Sequence, residues 1–243
     1  MQNIDEIKQL FEKGKHKEAR EALKEYVASN PDDPEGYRML GNAYAYLGFL
    51  GKARLIWKGA LKKFKTDINL LYNYGLSHYL VGNYYIASKY FKRALKINDK
   101  DPEIYFNLGL IYRDQGRLYK AIRFWKKGHD FDSKNVEIMN NIGAAYATLG
   151  NFATAAAWYE KAIEIDKDYA LAYYNAATCY FELGEYNKAK ELAEKSVELD
   201  PATHLDKVSL LQKAISKKLN WVIFTKRVLL LKKIIRSVLL LKW

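Results

Sequence analysis

Four asparagines, Asn73, Asn107, Asn141 and Asn175, recur at intervals of 34 residues. A carboxamide offers both a donor and an acceptor, so each can satisfy one peptide unit of an extended chain without reading its side chain. The alternative is that each amide is solvated or bonded to a neighbouring segment. In neither case is the chemistry bond making. Groups for covalent or metal chemistry are sparse: the four histidines (His16, His78, His129, His204) are scattered, and the single cysteine, Cys179, lies between Thr178 and Tyr180. No metal-ligand spacing follows from them, Cys179 reads as a small core residue, and no disulfide can form within the chain. There is no glycine-rich phosphate loop, and the carboxylates are dispersed. The expectation is a protein that is not an enzyme, with no cofactor, no metal and no small-molecule substrate.

The asparagines must be held by elements that repeat with them. Residues 102–135 contain one full unit, with Tyr105, Leu108, Gly109 and Tyr112, then Gly116, Ala121 and Trp125. Positions 105, 108, 109 and 112 fall within about a third of a helical turn at ~100° per residue, which predicts a helix with one buried face. Gly109 inside that helix costs ~1 kcal/mol and so needs a packing reason, read as a close helix approach. Gly116 suits a left-handed stop between two helices, and the second helix is expected from about Arg117 to Phe131. Asp101-Pro102 opens the unit as cap and first turn. Gly116 recurs as Gly14, Gly48, Gly82, Gly150 and Gly184, and Ala121 as Ala19, Ala53, Ala87, Ala155 and Ala189. The units are therefore about 1–33, 34–67, 68–101, 102–135, 136–169 and 170–203. The first is degenerate, as an end unit should be, His78 stands where Tyr112 stands, and the last replaces the large aromatic with Ala193.

The aromatic-x2-Leu-Gly-x2-Tyr…Ala-x3-aromatic pattern of 105–125 resembles the tetratricopeptide repeat family over residues 1–203. The resemblance implies an all-α fold: a right-handed α-solenoid of antiparallel helix hairpins, about six repeats plus a C-terminal cap helix, that binds other proteins. It also implies a concave groove lined by the first helices, and Asn73, Asn107, Asn141 and Asn175 resemble the asparagine ladder of peptide-binding arrays. A wheel turns Asn107 about 150° to 160° from the buried face. Four such contacts at a net ~1 kcal/mol each reach only about millimolar affinity, so side-chain pockets must contribute. The candidates are Arg38, Asn42, Tyr72, Leu76, Tyr79, Phe106, Leu110, Arg113, Tyr174 and Phe181. Arg38, Asn42 and Asn73 also match part of the carboxylate clamp of chaperone-binding members. Glu103 and Asn107 stand where two further basic residues are needed, so that mode is not expected.

The net charge is +12, but residues 204–243 hold ten Lys or Arg against one Asp, and the rest thirty against twenty-seven acids. A nearly neutral array argues against a nucleic-acid groove. Thr203 with Asp206 reads as a capping box opening a cap helix over 204–219. The remaining 220–243 form a basic amphipathic helical tail bearing Trp221, Phe224, Lys226, Arg227, Lys232, Lys233 and Arg236. Its longest charge-free run, Leu219 to Thr225, is too short to span a bilayer. The tail is read as contacting an anionic membrane surface, as self-associating through a heptad-like seam, or as packing back on the last hairpin. With no secretion signal at the N-terminus, the expected location is the cytoplasm, peripheral to a membrane if the tail engages one. The partner expected is a protein or peptide.

Overall fold

The computed structural model describes the backbone over residues 3–240, with side chains through Trp221 and at Thr225, Arg227 and Leu229. Among the described residues there are thirteen helices and no strand. They are α1 (Ile4–Glu12), α2 (His16–Ser29), α3 (Pro34–Tyr46), α4 (Leu50–Lys63), α5 (Ile68–Tyr79), α6 (Tyr84–Leu95), α7 (Pro102–Asp114), α8 (Leu118–Phe131), α9 (Val136–Thr148), α10 (Phe152–Ile165), α11 (Ala170–Glu182), α12 (Tyr186–Leu199) and α13 (Pro201–Leu240). The chain forms two compact units, Met1–Phe131 with α1 to α8 and Asp132–Trp243 with α9 to α13. Each is a stack of helix hairpins, so the fold is the all-α solenoid architecture expected.

Local chemistry sets each hairpin. Asp101 caps α7 by accepting from the N–H groups of Glu103 (3.0 Å) and Ile104 (3.2 Å), with Pro102 in the first turn. Gly116 has φ +71°, and the Gly116 and Arg117 N–H groups donate to the carbonyls of Arg113 and Tyr112, both at 2.8 Å. Those paired bonds close α7 in the left-handed glycine motif. All six glycines of the series share the positive φ.

The packing reason for Gly109 is the ring of Trp125. A Cβ at Gly109 would lie 2.2 Å from Trp125 Nε1, and one at Gly41 would lie 2.0 Å from Trp57 Nε1. The same pairing joins Gly75 to Phe91 and Gly143 to Tyr159. Each tryptophan also donates from its indole to a first-helix carbonyl, Trp125 to Phe106 (3.0 Å) and Trp57 to Arg38 (3.2 Å). At the two ends of the series the pair changes together: Ile7 and Leu23 in the first hairpin, Ala177 and Ala193 in the last, all with no exposed surface. Where the aromatic is absent, the glycine is no longer needed. In the last hairpin Ala177 and Ala193 share a core cluster with Val208 of α13, which fills the space an aromatic would take.

One helix start differs from expectation. The cap of α13 is Asp200, whose carboxylate accepts from the Thr203 N–H at 3.1 Å, so the helix opens at Pro201 and not at a Thr203 box. An aspartate followed by proline captures the first turn, as at Asp33-Pro34 and Asp101-Pro102. From there α13 runs without a break to Leu240, joining the expected cap helix and tail in one element.

Candidate peptide-binding surface

In the first unit, the first helices α3, α5 and α7 bring most of the candidate residues together. Asn73 donates to Asn42 Oδ1 at 2.9 Å, tying α5 to α3. These two amides and Leu76 border a depression of about 420 Å³. Its walls are Ala45, Tyr46, Leu50, Ser77 and Leu80, with Trp57 also contributing. The sequence reading named Asn42, Asn73 and Leu76 but missed the rest, because they come from a second helix or from positions off the asparagine stripe.

Asn107 is not open to a ligand in the way the wheel suggested. It is 5% exposed, and its amide donates to the Tyr72 hydroxyl (3.2 Å) and the Glu103 carbonyl (2.9 Å). The bond to Tyr72 reaches the preceding hairpin, which is the alternative role of the amide. Tyr72 in turn donates to the Glu103 carboxylate, and burial together with that carboxylate raises its hydroxyl far above the ordinary tyrosine range. Tyr79 donates to Asp114 Oδ2 at 2.8 Å, and burial with this bond pushes its hydroxyl up to about 12. At neutral pH both phenols stay protonated and act as fixed donors that lock α5 to α7.

The charged candidates are also engaged. Arg38 forks onto Glu35, with Nε 2.8 Å from the carboxylate, and the Arg113 guanidinium lies 2.8 Å from Asp114. Phe106 and Leu110 are half-buried on α7. The surface thus offers amides, phenols and apolar side chains, with its cations neutralised in place.

In the second unit Asn141 donates to the Glu137 carbonyl of its own helix (2.8 Å), and Asn175 donates to Asn140 Oδ1 (2.8 Å). Asn140 lies 35 positions before its donor, as Tyr72 does before Asn107, a register that the 34-residue count alone does not reveal. Tyr174 lies with its ring centroid 5.4 Å from that of His204, and Lys207 sits over it at 5.8 Å. Phe181 packs on Tyr186 and faces Ala214, Lys217 and Trp221 across a second depression. Tyr174 and Phe181 therefore face α13 of their own chain. Trp221 is 63% exposed and Arg227 is exposed, while the side chains of Phe224, Lys226, Lys232, Lys233 and Arg236 lie outside the described residues.

Burial pushes the Cys179 thiol up to about 11, leaving it a protonated core group. Among the described residues no three His, Cys, Asp or Glu gather at metal-binding distance, and no helix is long and apolar enough to cross a membrane.

Hairpin stacking, the glycine–aromatic pairs and a surface of amides and phenols define a helical-repeat scaffold for protein–protein interaction. Tetratricopeptide repeat models match residues 4–68, 75–116, 101–168 and 136–202, and the chain belongs to the tetratricopeptide repeat family. Solved structures agree on the fold. One is YrrB, described as a TPR protein with an unusual peptide-binding site: 20% identity, TM-score 0.65, 80% of this chain and 99% of that one. Another is the C-terminal part of a TPR repeat-containing protein from Cytophaga hutchinsonii: 18% identity, TM-score 0.69, covering 81% and 79%. A third is MamA from Desulfovibrio magneticus RS-1: 24% identity, TM-score 0.62, covering 68% and 93%. No curated protein matches the chain.

Proposed function

We propose that the chain is a non-catalytic adaptor that holds an extended segment of a partner protein along α3, α5 and α7. The observation that carries this reading is the depression bounded by Asn42, Asn73 and Leu76. Its lining is mostly apolar, and two amides stand at its edge. A large apolar side chain of the partner fills the depression, and the amides take adjacent backbone groups. Affinity then comes from apolar burial at roughly 25 cal/mol per Å², with hydrogen bonds setting direction more than strength. Display of a random peptide library against the full chain tests this: binders should share one apolar residue, and Leu76→Lys should abolish their capture. Binders that survive Leu76→Lys unchanged would remove the depression from the account.

A second reading rests on α13, in which Trp221 and Leu229 are exposed on a helix continuous to Leu240. In that reading the basic tail carries the adaptor to an anionic membrane, each cation contributing about 1 kcal/mol near the surface before screening. Flotation with anionic liposomes that is lost on truncation after residue 219 supports it, and flotation unaffected by truncation opposes it.

A further inference from the structure

The near neutrality of residues 1–203 conceals a segregation of charge within the first unit. The second helices α4, α6 and α8 carry respectively five, three and four Lys or Arg, with Asp130 of α8 their one acid. In the second unit α10 is net acidic, with Lys161 against Glu160 and Glu164, and α12 balances Lys188, Lys190 and Lys195 against Glu191, Glu194 and Glu198.

The repeat supplies an internal comparison at one spot on this side. In the second unit Tyr180 donates to Glu160 at 2.6 Å, and Lys188 reaches both Glu160 and the Tyr180 hydroxyl at 2.7 Å. A carboxylate is thus seated between an ammonium and a phenol. Sixty-eight positions earlier, two repeats by the 34-residue period, the same places hold Tyr112, Lys92 and Lys120. Lys92 donates to the Tyr112 hydroxyl at 3.1 Å, and Lys120 lies 5.8 Å from the Tyr112 ring centroid. The carboxylate has been replaced by a second cation. Burial alone would raise the Tyr112 hydroxyl, but Lys92, followed by Ser88 and Lys120, outweighs it and holds it below its ordinary value. Beside it opens a depression of about 460 Å³ lined by Tyr84, Tyr85, Ser88, Lys89, Lys92 and Arg117 among others, none of them a carboxylate. Tyr85 is 79% exposed, and its counterpart one repeat later, Tyr119, is 75% exposed.

We propose that the side of the first unit formed by α4, α6 and α8 binds single-stranded nucleic acid, with a phosphate held at Lys92 and Lys120 and bases stacked on Tyr85 and Tyr119. Exposed cations beside flat, exposed rings are the combination that a single strand exploits, since every base has a face to stack and every nucleotide a charge to place. A folded acidic protein would not need the rings. The depression beside Tyr112 shares no lining residue with the one at Asn42 and Leu76.

The test is fluorescence anisotropy of a labelled oligouridine of about 20 nucleotides with the full chain between about 50 and 200 mM salt. Lys92→Glu should restore the arrangement seen at Glu160, keep the fold, weaken binding about ten-fold and lower the log–log salt slope by about one. Lys92→Gln, which removes the charge without adding another, should give the same direction at smaller amplitude. Tyr85→Ala with Tyr119→Ala should weaken binding at least about five-fold. Lys190→Glu on exposed α12 makes the same change of net charge and should leave affinity within about two-fold. The proposal is overturned if Lys190→Glu weakens binding as much as Lys92→Glu, or if the tyrosine pair proves neutral. It is overturned also if vesicles of phosphatidylcholine and phosphatidylglycerol bind more tightly than the oligonucleotide and Lys92→Glu abolishes that binding.

Discussion

Replacing Gly109 with alanine should destabilise the protein, although alanine is the better helix former. The added methyl would sit 2.2 Å from Trp125 Nε1 and 2.4 Å from its Cδ1. Restoring ordinary contact demands a shift of about 1.2 Å or more in a ring that has no exposed surface. Overpacking of this kind costs roughly 1–3 kcal/mol, and displacing the indole from the Phe106 carbonyl adds about 1 kcal/mol. The helix-propensity gain of about 1 kcal/mol offsets part of it, leaving a net loss near 2 kcal/mol. In a Trp125→Ala background, itself destabilised by about 3–5 kcal/mol, the clash is gone and Gly109→Ala should become stabilising by up to about 1 kcal/mol. The double variant reproduces the Ala177 and Ala193 pair of the last hairpin. Urea unfolding followed by circular dichroism on all four proteins gives the coupling. A Gly109→Ala effect of the same sign and size in both backgrounds would refute the steric account.

Three further outcomes follow from the same geometry. His78 is 9% exposed with neither ring nitrogen hydrogen-bonded, and burial, aided by Arg54 and Lys58, depresses its basicity. Its neutral form is favoured in the fold, so stability should fall as pH drops through about 6.5, where the unfolded histidine takes up a proton that the folded one resists. His78→Tyr should flatten that slope, leaving the part due to His204, which burial also depresses; a slope unchanged in chemical unfolding across this range would count against it. Cys179, 1% exposed with its thiol pushed up to about 11, should react with a disulfide reagent at pH 8 only on unfolding, and prompt labelling of the folded protein would contradict its burial. Asp200→Ala should cost about 1 kcal/mol by removing the cap of α13, seen as faster amide exchange at Thr203, with no change there if the cap carries no weight.

The hairpins were legible because their determinants are local. Gly116 must end a helix within five residues, and the demand of Gly109 for a facing ring is written 16 positions on at Trp125. Asn107 was less legible: a helical wheel knows only its own hairpin, and the side it left open is covered by Tyr72 of the preceding one, a partner fixed by stacking. The cap at Asp200 carried the same Asp-Pro signal as Asp101-Pro102, but Thr203 and Asp206 offered a competing local pattern. Charge was the least legible, because a total over residues 1–203 averages α4, α6 and α8 with helices that are neutral or acidic. Counting charge helix by helix, and placing Lys92 against Glu160, separates them.

The central claim is that α3, α5 and α7 hold a partner segment with an apolar side chain seated beside Leu76. Isothermal titration of a library-selected peptide into the full chain, its Leu76→Lys variant and its Asn42→Ala, Asn73→Ala variant tests it directly. The account predicts a negative heat-capacity change on binding, no measurable heat with Leu76→Lys, and a loss of about ten-fold or less with the paired asparagine variant. Equal affinity for all three proteins would contradict it.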